Sequence, residues 1–103
     1  MQVSFTSRGA EGDELRDQVV QRVEFAMRRM TWLAPKATVE LADIHGSDGG
    51  VDKRCLVEIK TQQAGTVVVT SIARDWRAAL DNALTSAMGA LRAGGQERTQ
   101  PGR

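Results

Sequence analysis

The sequence predicts an α+β domain with the element order β-α-β-β-β-α, two helices packed on one face of a four-stranded sheet. Three observations lead there. Four segments alternate apolar and polar residues with the period of a strand, and two others repeat apolar residues at helical spacing. The length, 103 residues, is enough for one hydrophobic core and too short for a second. A single domain over 1–94 and a polar, unstructured tail over 95–103 are therefore expected.

Gln2 to Ser7 places Val3 and Phe5 on one side and Ser4 and Thr6 on the other, as a half-buried strand does. The next segment has Asp13 as a candidate helix cap, followed by Leu15, Val19, Val23, Met27 and Met30 on one face, widened by Ala26. Pro35 ends this helix no later than Ala34. Ala37 to Ile44 alternates again, with Val39 and Leu41 opposed to Thr38 and Glu40. His45 to Asp52, with three glycines, reads as a flexible loop. Lys53 to Thr61 directs Cys55, Val57 and Ile59 one way and Arg54, Glu58 and Lys60 the other. A short turn, Gln62 to Gly65, leads into Thr66 to Ile72, whose β-branched run makes a strand antiparallel to the preceding one. Asp75 then caps a helix with a wide apolar face: Trp76, Ala79, Leu80, Ala83, Leu84, Ala87, Met88 and Leu91. Gly94 and Gly95 end it. The sheet face without helices is mostly polar, with Leu56 and Val68 as exceptions that mark a possible contact surface.

Fourteen Lys and Arg against thirteen Asp and Glu give a net charge of +1, too little for the whole molecule to steer towards a polyanion. Nucleic-acid binding would have to come from a local patch. The cations are mostly Arg, with Lys only at positions 36, 53 and 60, and the guanidinium fork suits phosphate. A single cysteine, Cys55, admits no internal disulfide and points to a reducing compartment. The opening MQVSFTSRG lacks a basic start followed by an apolar stretch, and no apolar run is long enough to span a bilayer. The expected location is the cytoplasm.

Catalytic readings fail on inventory. The only thiol dyad would pair His45 with Cys55, yet one is expected in a loop and the other in the core. Asp43, His45 and Asp48 are too loosely spaced for a metal site of strict geometry, and Gly46, Gly49 and Gly50 lack the strand-turn-helix context of a phosphate loop. No metal, cofactor or small-molecule substrate is expected. Basic residues are the better candidates. Arg22 and Arg29 stand one heptad apart with Arg28 beside them, so the first helix can present a guanidinium cluster. Glu24 and Asp17 on the same helix favour the ordinary alternative, a solvated surface of mixed charge. Lys53 and Arg54 open a strand after the glycine-rich loop, where cations can meet an RNA backbone or simply protect the strand. Trp32 and Trp76 have faces for base stacking, although at helix ends they are better placed to seal the core edge.

The element order, the opening MQVSFTSRG, the helix pattern ELRDQVVQRVEFAMRR, the segment DKRCL and the closing DWRAALDNAL together resemble the ribosome hibernation promoting factors and ribosome-associated inhibitors, historically called sigma-54 modulation proteins. The resemblance runs from Met1 to about Arg92 and is to the short forms of that family. It implies a β-α-β-β-β-α domain lodged in the small-subunit channel for messenger and transfer RNA, a stress-response factor that regulates translation without catalysis. Family members grip ribosomal RNA with basic side chains on both helices. Arg22 and Arg28 match two of those positions, while a third, usually Lys, is Phe25. On the last helix Ser86, Gly89 and Ala93 replace basic residues, leaving chiefly Arg77 and Arg92. The expected RNA-binding set is thus Arg22, Arg28, Arg29, Lys53, Arg54, Arg77 and Arg92, and the expected partner the small ribosomal subunit. The alternative is a protein-interaction module that uses the open sheet face at Leu56 and Val68.

Overall fold

Strands form where the alternation is strongest. They are β1 (Gln2–Arg8), β2 (Lys36–His45), β3 (Val51–Lys60) and β4 (Thr66–Ala73), and the helices are α1 (Arg16–Ala26) and α2 (Trp76–Arg92). This computed structural model describes residues 2–8, 12–30, 34–45, 50–62, 65–93 and 98–99. The four long strands make a mixed sheet in the order β1-β2-β3-β4, with a two-residue strand β5 (Arg98–Thr99) at the β4 edge. β1 and β2 are parallel, so the chain must cross over between them, and α1 is that crossover. β2, β3 and β4 are successive antiparallel neighbours. At the β3–β4 turn Gly65 has φ 81°, a left-handed conformation that side chains disfavour, and its carbonyl accepts from the Thr61 N–H at 3.0 Å.

The registers stack the residues of the helix-covered face into rows across the sheet. Val3, Ala37, Ile59 and Val67 form one, Phe5, Val39, Val57 and Val69 the next, and Ser7, Leu41, Cys55 and Ser71 a third. Apart from Val3 and Ser7 on the edge strand, all of these are buried, and both helices cover them. From α1 come Val19 and Val23, with Met27 just beyond it. From α2 come Ala79, Leu80, Ala83, Leu84, Ala87, Ala90 and Leu91. The small alanines let α2 lie close against β3 and β4. The Asp75 carboxylate accepts from the Ala78 N–H at 2.8 Å, the cap anticipated for this helix.

The expected first helix differs at both ends. Asp13 is not its cap; it falls in a 3-10 turn, Gly12–Leu15, and Leu15, which has no capping side chain, precedes the helix. The helix stops at Ala26, and the apolar stripe continues through a second 3-10 turn, Arg28–Met30. The tighter winding still carries the fully buried Met27 and half-buried Met30 onto the core while turning the chain back towards Ala34, whose N–H donates to the Met30 carbonyl. His45, expected in the loop, ends β2 opposite Val51, because the strand pairing continues to that position. Of the segment expected as a tail, only Arg98–Thr99 are described, and they form β5, which pairs in parallel with Val68 and Val69. Trp32, Asp48, Gly46, Gly49, Gly94 and Gly95 lie outside the described residues.

Candidate nucleic-acid interface

α1 and α2 lie side by side on the sheet and run in the same direction. Arg77 donates to Gln18 at one end, Arg22 pairs with Asp81 further along, and Arg28, Arg29 and Arg92 share a groove at the other end. Along this seam the cations fall into two groups with different surroundings.

The first group surrounds Trp76. Arg22 Nη1 donates to both Asp81 carboxylate oxygens, at 3.0 and 3.1 Å, and its guanidinium carbon lies 5.7 Å from the Trp76 ring centroid. Arg77 lies over the same ring at 5.3 Å. Trp76 is half-buried against the core, so it seals the helix edge, and the two guanidinium groups cover its outer side. Asp81 compensates the charge of Arg22, and the hollow beside them, about 700 Å³, is lined by Gln18, Gln21 and Thr85 as well as apolar groups.

The second group is where the helices end. Arg28, Arg29 and Arg92 line a groove of about 610 Å³ with Phe25, Ala26, Met30 and Met88. All three arginines are exposed, and none has a carboxylate partner among the described residues. Arg28 is held over the Phe25 ring at 5.2 Å. Cations at helix C-termini also meet the negative end of each helix dipole, which favours their presence with or without a ligand. Convergence from the turn that follows α1 and from the last turn of α2 onto one apolar-floored groove goes beyond that local role.

The remaining predicted cations are elsewhere. Lys53 stands at the end of the helix-covered sheet face, with its side chain 14% exposed and its Nζ 2.6 Å from Asp43 Oδ1. Arg54 is on the opposite, open face, between Ala42 and Ile72 in the register. The seven predicted residues do not form one strip: five follow the helix seam and two lie away from it.

A solved structure shares this architecture. The chain matches the N-terminal domain of Protein Y from Thermus thermophilus with a TM-score of 0.64 and 17% identity, over 90% of this chain and 98% of that one. The two folds are alike. No family model and no curated protein sequence matches the chain. The likeness to the Protein Y domain bears out the α+β architecture that the sequence resemblance implied, with both helices on one sheet face.

Cys55 is fully buried, and burial pushes its thiol from an ordinary 9.0 up to about 12, so the nucleophilic thiolate is suppressed. His45 lies four residues along β2 from Leu41, the register partner of Cys55, roughly 13 Å away at strand spacing. Among the described residues no group of three His, Cys, Asp or Glu side chains could hold a metal ion, and Asp43 is engaged by Lys53. Among the described residues no helix is long and apolar enough to cross a membrane.

The three arginines of this groove were among the residues singled out from the sequence, while Phe25, Ala26, Met30 and Met88 were not grouped with them. Phe25 stands three and four residues before Arg28 and Arg29, a visible helical spacing, but Met88 and Arg92 join them only through the packing of α2.

Proposed function

We propose that the chain is a non-enzymatic, ribosome-associated factor of the cytoplasm that binds ribosomal RNA of the small subunit through the end of the α1–α2 seam. The observation that carries this reading is the convergence of Arg28, Arg29 and Arg92, free of carboxylate partners among the described residues, around one groove. Guanidinium groups held on the 3-10 turn after α1 and on the end of α2 can clamp successive phosphates. Arg77 and Arg22 extend the same line towards Trp76, the latter shared with Asp81. The fold is the one implied by the sequence resemblance to ribosome hibernation factors, and it agrees with the Protein Y domain. Lys53 and Arg54 lie off the seam and are left out of the proposed interface.

Sucrose-gradient sedimentation of stationary-phase extract tests this. The protein is expected with the small subunit or whole ribosomes at low salt and free at high salt, since each phosphate contact releases about one counterion. Recovery only in the free fraction at low salt would contradict it.

A second reading has its own observation. Leu56 and Val68 are only half-buried on the open sheet face, and Ile72, on the same face, is 39% exposed. A protein partner docking there would tolerate Arg28→Glu with Arg92→Glu and would be lost with Leu56→Asp.

A further inference from the structure

Phe25 is 72% exposed on α1, the most exposed large apolar side chain among those described. It touches both hollows of the seam, and Met30 and Met88 flank it in the arginine-lined one. We propose that this groove holds an unpaired nucleotide of single-stranded RNA, with its base stacked on Phe25 and its phosphates held by Arg28, Arg29 and Arg92. The proposal rests on the RNA-binding reading above and deepens it by naming the form of RNA.

An exposed phenylalanine gives the folded chain little, because its ring stays in water. Surrounded by cations it suits a ligand that is both flat and anionic, and a nucleotide joins those properties in one molecule. Arg28 lies 5.2 Å from the ring centroid, so an entering base meets two planar groups, the ring and the guanidinium. The groove, at about 610 Å³, is within the range of roughly 300–1,000 Å³ typical of small-ligand sites. Met30 and Met88 are unbranched and can adjust to the base edge. Bases paired in an A-form duplex are stacked on one another and cannot lie flat on a side chain, whereas loops and single strands can splay a base outward.

Fluorescence anisotropy of a labelled oligoribonucleotide, alone and annealed to its complement, tests the proposal. Phe25→Ala should weaken single-strand binding by about tenfold, the loss of one stacked base, and leave both duplex binding and the salt dependence unchanged. The exposed position and the better helix propensity of Ala make misfolding of this variant a minor concern, and circular dichroism checks it. Phe25→Trp should retain affinity, with its added indole emission quenched when the single strand saturates the protein. Equal losses for single strand and duplex, or no loss for either, would overturn the stacking proposal. In that case a binding loss on Arg28→Ala with Arg29→Ala leaves the RNA reading standing. Failure of the wild-type protein to bind either RNA at low salt would overturn both.

Discussion

At the scale of single residues, what surrounds a cation decides its use. Arg22 matches a basic position of the family that the sequence resembles, yet its guanidinium shares charge with Asp81 and covers Trp76. Arg29, with no matched position, stands unpaired by any described carboxylate at the groove. Nothing in the local sequence distinguishes the two, because Asp81 is 59 residues from Arg22. Cys55 was more legible, since its strand parity alone placed it in the core. Its burial makes a prediction with a definite sign. Below about pH 9 the thiol is protonated in both folded and unfolded chains and has no effect on stability. Between about 9 and about 12 only the unfolded chain ionises, so stability falls as pH rises through that window. Urea unfolding at pH 8 and pH 10.5 should show the fall, and Cys55→Val, with no thiol, should show a smaller one. An equal fall in both proteins would mean that the thiol is not buried as described.

At the scale of elements, strands and the second helix could be read directly, because each has one dominant pattern and a clear boundary. Asp75 illustrates this: a carboxylate just before an apolar stripe predicted a cap, and its bond to the Ala78 N–H is that cap. Replacing it by Ala should cost about 0.5–2 kcal/mol in urea unfolding, with the fold retained, and Asp75→Asn should recover most of the loss. The first helix was harder. Its apolar stripe fits both an α-helix reaching Met30 and the observed shorter helix followed by a 3-10 turn, since both bury Met27. What selects the second is the return of the chain into β2 beside β1, a tertiary demand without a local signal. The groove was hidden for the same reason, as Met88 and Arg92 of its wall come from α2 and the other five residues from α1 and the turn that follows it, and the sheet sets how these elements sit together.

At the scale of the whole molecule, a net charge of +1 means that no global field draws the chain to RNA, so affinity must come from the few cations at the seam. The single core holds two parallel helices on one face of the sheet, and that packing brings Arg28 and Arg29 of the turn after α1 beside Arg92 at the end of α2. Removing those charges while leaving the core intact should therefore abolish function without unfolding the protein. The decisive measurement is the affinity of the wild-type chain and of Arg28→Glu/Arg29→Glu/Arg92→Glu for purified small ribosomal subunits across a salt series. Wild-type binding should weaken with salt along a log–log slope of about two to three, as expected for three phosphate contacts, and the triple variant should show no saturable binding at any salt. A triple variant that binds as tightly as wild type, with the same slope, would contradict the assignment of the arginine groove.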